Sequence, residues 1–200
     1  MKKLIINKCM ELVTTYNKDL SQRDIDKIKY GLEGLYLTIT KLIFIIIVSI
    51  ILGIWKETLL LILIFNGIRL TGFGVHAKRS IDCLISSTLF FILFPIICIK
   101  LTIPLIVKII LFIPLTVLIG IFAPADTEKR PLINKKKRKI YKMLSIMISI
   151  IYMTIAIVIK DNTLSNCFIF AIVIQIIIML PITYKIFGVS YNNYKTYEVK

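Results

Sequence analysis

Histidine is almost missing from this 200-residue chain: His76 is the only one. The four cysteines, Cys9, Cys83, Cys98 and Cys167, fall in no CxxC or Cys/His spacing, and one imidazole leaves too few ligands for a typical zinc site. Metal catalysis is not expected, and neither is a cofactor. Acidic residues are scarce as well, with 11 Asp and Glu against 26 Lys and Arg and a formal net charge of +15. In a soluble protein that excess would suggest nucleic acid. No aromatic-rich or recognition-helix context accompanies the charges, so nucleic-acid binding is not expected here. A cleavable leader is not expected either. Met1-Lys2-Lys3-Leu4-Ile5-Ile6 mimics the start of a signal peptide, but Asn7, Lys8 and Glu11 break its apolar core before it reaches useful length.

What is abundant is hydrocarbon: 58% of residues are hydrophobic and the mean hydropathy is +0.86. Soluble folds do not read this way, and the expected class is an all-α polytopic membrane protein. About six runs are expected to cross: 35–54, a short second run at 58–70, then 84–99, 105–123, 143–159 and 164–184. The first gives about 30 Å of helix, whereas the second gives only about 20 Å and ends on Asn66 and Arg69. Pro95 and Pro114 fall inside the third and fourth runs and should kink them. Lys160-Asp161-Asn162 makes a tight polar turn between the last two.

Three regions follow. Residues 1–34 read as cytoplasmic or interfacial amphipathic helices. Ile5, Cys9, Leu12, Val13, Tyr16 and Leu20 recur at helical spacing, a face that suits either the membrane surface or the bundle. Ser21-Gln22-Arg23-Asp24 has the form of an N-cap for a second helix. Residues 35–184 make the six-span catalytic domain with a basic cytoplasmic loop at 124–142, and 185–200 form a cytoplasmic tail. With both termini inside, the external turns hold only Lys56, Lys100, Lys108 and Lys160. The run Lys135-Lys136-Lys137-Arg138-Lys139 is then the strongest inner-face anchor. It also suits an anionic lipid leaflet and an acidic substrate segment held against it.

Polar chemistry gathers in Arg69-Leu70-Thr71-Gly72-Phe73-Gly74-Val75-His76-Ala77, followed seven residues after the histidine by Cys83. A cysteine nucleophile needs a base near neutral pH, and imidazole suits that work, so His76 and Cys83 form a candidate catalytic dyad. The bland alternative is a hydrogen-bonded structural histidine and a small buried thiol. In one straight helix the two would sit about 10.5 Å apart along the axis, too far for proton transfer, so a break is expected between them. Gly72 and Gly74 permit that turn. Lys78, Arg79 and a helix N-terminus near Cys83 favour a thiolate, while Asp82 opposes it. Topology brings the Pro124-Ala125-Asp126-Thr127 loop to the same face, where Asp126 either orients the imidazole or caps a turn. Arg69 either binds substrate or snorkels from its helix end. Cys98 and Cys167 fall near the outer ends of the third and sixth spans and are expected to be buried rather than bridged.

Arg69, the Gly74-Val75-His76-Ala77 step, Cys83, and Pro124-Ala125-Asp126-Thr127 leading through Lys129 and Arg130 to Pro131 resemble the accessory gene regulator B (AgrB) family of Gram-positive bacteria. These are membrane cysteine peptidases of peptide quorum sensing. Phe73 replaces the family's usual second glycine before Gly74, and Arg130 replaces the lysine that commonly precedes the proline. The resemblance implies a bacterial cell membrane location with the active site at the cytoplasmic face, and a homodimer. It also implies removal of the C-terminal tail of an AgrD-type propeptide, with Cys83 as nucleophile and His76 as base, and cyclisation to a thiolactone or lactone. Gly74, Asp126, Lys129 and Arg130 join Arg69 as supporting candidates. Rival readings are a noncatalytic peptide transporter or assembly module, and a membrane acyltransferase using the same cysteine.

Overall fold

Long apolar runs with few interruptions form helices wherever backbone groups must be satisfied within the chain. The computed structural model describes residues 2–17, 20–77, 79–127 and 131–198. Its described residues form α1 (Lys2–Tyr16), α2 (Gln22–Ile51), α3 (Trp55–Gly72), α4 (Ser80–Lys100), α5 (Leu105–Phe122), α6 (Lys135–Val158), α7 (Asn162–Met179), α8 (Pro181–Ile186) and α9 (Lys195–Glu198). Five of these, α2, α4, α5, α6 and α7, are long and apolar enough to cross a membrane. The protein is thus an all-α polytopic membrane protein. The expected second span, α3, has 18 residues and carries Lys56, Glu57 and Arg69 near its ends.

Local chemistry sets the boundaries. Ser21 caps α2 as its residue pattern predicts, with the Asp24 N–H donating to Ser21 Oγ at 3.3 Å and Ser21 Oγ donating back to Asp24 Oδ2 at 2.6 Å. That helix runs unbroken through the expected boundary at 34/35. Leu20, expected on the amphipathic face of the first helix, lies past the end of α1. Asn134 Oδ1 accepts from the Lys136 and Lys137 amides at 2.9 and 3.1 Å and starts α6. Lys135 to Lys139 were expected in a loop reaching 142. They instead form the opening turns of that helix, since lysine and arginine are good helix formers once a cap supplies the nucleus. Asp161 caps α7 by accepting from the Leu164 amide at 2.7 Å. The last span stops at Met179 rather than 184, because Pro181 disfavours helical geometry at Leu180, whose ψ is 139°.

The chain forms two compact units, residues 1–47 and 48–200. In the first, Ile6 is buried while Leu4, Ile5, Leu12 and Tyr16 leave an exposed apolar surface on α1. In the second, α7 packs against α3, α4, α5 and α6. Its apolar window is 61% buried, against 17–22% for α4, α5 and α6, which marks α7 as the axis of the bundle. The outer helices turn hydrocarbon outward. Ile106, Ile110, Ile113, Val117 and Ile121 make one stripe along α5 with exposures of 51–70%, a face that suits lipid and not water. Inward, Ser145, Ser149, Met153 and Ala156 line the buried side of α6. Small side chains let helices approach closely where lipid offers no hydrophobic drive.

Alternation of α3 to α7 sorts the described connections of this unit. One end gathers residues 72–77, 79–80, 122–127, 131–135 and 179–198, and carries the sequence candidates. The far end holds the start of α3, the 101–104 link and the 159–161 turn. Three of its polar side chains bond inside the bundle: Lys108 Nζ donates to Ser165 Oγ at 2.7 Å, and Asn166 Nδ2 donates to the carbonyls of Cys98 and Leu101 at 3.0 and 2.6 Å.

Candidate active site

The expected break between histidine and cysteine is present. Helix α3 ends at Gly72, residues 73–77 and 79 are non-helical, and α4 begins at Ser80. Cys83 therefore lies in the first turn of α4, its N–H bonded to the Arg79 carbonyl at 3.3 Å. No side chain caps that helix end. The helix dipole there favours negative charge, so an anionic sulfur or oxyanion has a suitable position. His76 is exposed and Cys83 half-exposed, whereas Cys98 and Cys167 are fully buried free thiols.

An irregular segment at the end of a membrane bundle needs partners for its backbone, and this one has them on three sides. The Gly74 N–H donates to the Ala125 carbonyl at 2.8 Å and the Ala125 N–H to the Gly72 carbonyl at 3.0 Å, a parallel bridge between the two loops. The Val75 N–H donates to the Ile178 carbonyl at 2.9 Å, and Gln175 Nε2 to the Phe73 carbonyl at 2.9 Å. The Arg69 guanidinium reaches over the same turn and donates to the carbonyls of Phe73, of Gly74 at 3.2 Å and of Val75 at 3.1 Å. Arg69 thus closes the loop that leads into His76.

Two glycines make the turn possible. Gly74 has φ +119°, and a Cβ there would lie 2.4 Å from Arg69 Nη1. At Gly72 a Cβ would lie 2.4 Å from Gln175 Nε2. Phe73 has φ 55° and ψ −135°, backbone that glycine adopts far more readily. Its ring stands edge-on to Tyr141 at 5.0 Å.

Asp126 is 3% exposed and its two carboxylate oxygens collect backbone amides: Asn193 at 3.0 Å, Tyr194 at 2.8 Å and Leu132 at 3.3 Å. Tyr184, fully buried, donates its hydroxyl to the Asp126 carbonyl at 2.8 Å, with the Ala125 carbonyl at 3.1 Å. Burial pushes the Tyr184 and Tyr191 phenols up from their ordinary value. The Arg138 guanidinium stacks over the Tyr194 ring at 3.5 Å. Of the basic run, Arg138 is thereby fixed to the C-terminal segment, while Lys135, Lys136, Lys137 and Lys139 ride on α6. Lys78, Lys129 and Arg130 lie outside the described residues. No cluster of three potential metal ligands occurs among the described residues.

Gln175, Tyr184, Asn193 and Tyr194 were not singled out in the sequence. Gln175 had a signal, being a polar side chain inside an apolar run. The tail contacts had none, since backbone amides meeting a distant carboxylate leave no periodicity.

Together these features define a multi-pass membrane protein whose one end holds an exposed imidazole on braced irregular backbone and a thiol at the start of the following helix. A family model described as accessory gene regulator B matches residues 6–179. A putative AgrB-like protein from Clostridium acetobutylicum is 34% identical over 200 residues, covering 98% of this chain and 96% of the relative. A putative AgrB-like protein from Listeria monocytogenes is 32% identical, covering 86% of this chain and 84% of the relative. The accessory gene regulator protein B of Staphylococcus aureus is 32% identical, covering 78% of this chain and 82% of the relative. No solved structure gives a significant match. The chain belongs to the accessory gene regulator B family, and membership gives it a role in the agr quorum-sensing system.

Proposed function

We propose that this protein is a membrane-embedded cysteine endopeptidase that removes the C-terminal tail of an AgrD-type propeptide and promotes cyclisation of what remains. The observation that carries the reading is the break at residues 73–77 and 79, which puts Cys83 on a helix end and leaves His76 on a separate, braced segment. His76 takes the thiol proton as Cys83 Sγ attacks the scissile carbonyl carbon. The C–N bond breaks, the tail's new amine takes that proton from the imidazolium, and the peptide is held as a thioester. A thiol within the peptide then attacks the thioester carbonyl and expels the Cys83 thiolate, closing a thiolactone; a hydroxyl in its place closes a lactone. Exchange of one thioester for another is nearly balanced in energy, so proximity within the bound peptide decides between cyclisation and attack by water.

The reaction is proposed for the cytoplasmic face of a bacterial cell membrane. Sorting of basic residues supports that orientation, because Lys135 to Lys139, Lys142, Lys185 and Lys195 fall at the site end, and among the described residues only Lys56, Lys100, Lys108 and Lys160 at the far end of the same unit. The basic start of α6 would hold the substrate's tail and anionic lipid, with Lys129 and Arg130 nearby in sequence, and two copies of the chain would form the working dimer. The test is tail release by membranes containing the protein as sole protease. Cys83→Ala should abolish release while retaining propeptide binding, and His76→Gln should lower it by about 10³-fold. Normal release by Cys83→Ala would reject the assignment.

A further inference from the structure

The carboxylate of Asp126 is buried, sits on the loop paired with the His76 segment, and spends its lone pairs on the chain's C-terminal segment. Buried carboxylates are stable only when hydrogen-bonded, and here the donors are the amides of Asn193 and Tyr194, 67 and 68 residues away in sequence, together with Leu132. Asn193 is itself 5% exposed. Its side-chain Nδ2 donates to the Ser190 carbonyl at 2.9 Å, closing the turn that presents both amides. The Tyr191 ring packs edge-on against Tyr184 at 5.0 Å, and Tyr184 bonds the Asp126 carbonyl from behind. Arg138 clamps the Tyr194 ring from α6. The loop gripped in this way is the one whose Ala125 pairs with Gly72 and Gly74, two residues before His76.

We propose that the C-terminal segment 189–194 is a working part of the catalytic centre. Docked on Asp126, it holds the 123–127 loop in place, and the loop in turn holds the His76 segment in register with Cys83. Asp126 is then a positioning residue that acts through the loop pairing, and the segment is its anchor instead of a free tail. The inference rests on the His76–Cys83 dyad.

The test needs no substrate: alkylation of Cys83 by a small thiol reagent at pH 7 in the purified full-length protein, with Cys98 and Cys167 as internal monitors. Those two are fully buried, so their protection certifies an intact bundle in the same sample. In the parent protein His76→Ala should slow Cys83 alkylation about tenfold. Asp126→Ala, and Tyr194→Pro, which removes one donor from the tail, should each slow it by a similar factor. Adding His76→Ala to either should then change the rate less than twofold, because the histidine is already out of place. Tyr184→Phe should fall between. If Asp126→Ala or Tyr194→Pro also exposes Cys98 and Cys167, Asp126→Asn and Tyr184→Phe decide by the same criterion. Variants with protected thiols in which His76→Ala keeps its full tenfold effect would overturn the proposal. A parent Cys83 rate indifferent to His76→Ala would instead reject the dyad, so the two failures are distinguishable.

Discussion

The two ends of the 48–200 unit use polar groups in opposite ways. At the far end, Lys108, Ser165 and Asn166 point into the bundle and bond helix to helix, and the two nearby thiols, Cys98 and Cys167, are sealed from solvent. At the site end, Arg69, Gln175, Asp126 and Tyr184 spend their bonds on irregular backbone, and the thiol and imidazole beside that backbone stay accessible. Interior polar bonds at one end close the bundle, and those at the other hold a loop open in one conformation. Similar residue types therefore carry different consequences according to what accepts their hydrogen bonds.

Thiol chemistry gives the widest separation between the ends. A small alkylating reagent should modify Cys83 at least about 100-fold faster than Cys98 or Cys167 in the folded protein, because the latter need bundle opening to react. Peptide mapping after timed quenching reads the three rates, and equal rates would erase the distinction. Backbone substitutions sharpen it. Gly74→Ala forces a Cβ onto Arg69 at φ +119° and should lower tail release by about 100-fold through misplacement of His76. Gly53→Ala is strained in the same sense at φ +70°, but sits in open space at the far end and should leave release within about twofold while lowering stability by about 1 kcal/mol.

Smaller effects follow at Phe73 and Lys108. Phe73→Ala loses the Tyr141 ring contact and keeps the left-handed backbone, whereas Phe73→Gly loses the ring and relieves the strain, so the glycine variant should unfold later by about 1 kcal/mol. A thermal shift in detergent ranks the pair, and the reverse order would remove the strain argument. Lys108→Met should change tail release less than about twofold and shift the thermal midpoint only slightly, since an apolar chain of similar volume replaces a buried charge and Ser165 still donates to the Ala156 carbonyl at 2.6 Å. A large loss of activity there would mean that the far end takes part in the reaction.

Much of this contrast was legible in the residues and some was not. Helix existence followed from hydropathy, and Ser21 marked its helix start because capping is local chemistry; Asp161 was legible only as part of a polar turn. The break between His76 and Cys83 followed from helix geometry and two glycines. Boundaries set by competing local signals were harder: Asn134 pulled the basic run into α6, and Pro181 ended α7 five residues before the apolar pattern did. The role of Arg69 as a clamp on its own following turn lay beyond pattern, since substrate binding, snorkelling and loop bracing all want the same side chain. The Asp126 anchor was least legible, because its main donors are amides nearly seventy residues away whose identity no side chain advertises.

The central claim is that Cys83 becomes acylated by the propeptide, and it is tested most directly by intact-mass analysis of the enzyme after mixing with a propeptide whose ring-forming cysteine is replaced by alanine. Exchange is then blocked while acylation is not. The account predicts a stoichiometric mass increase equal to the propeptide lacking its tail, mapped to the Cys83 peptide, released by hydroxylamine and absent in Cys83→Ala. Full tail release with no adduct at any time, or an adduct of the same mass that persists in Cys83→Ala, would contradict it.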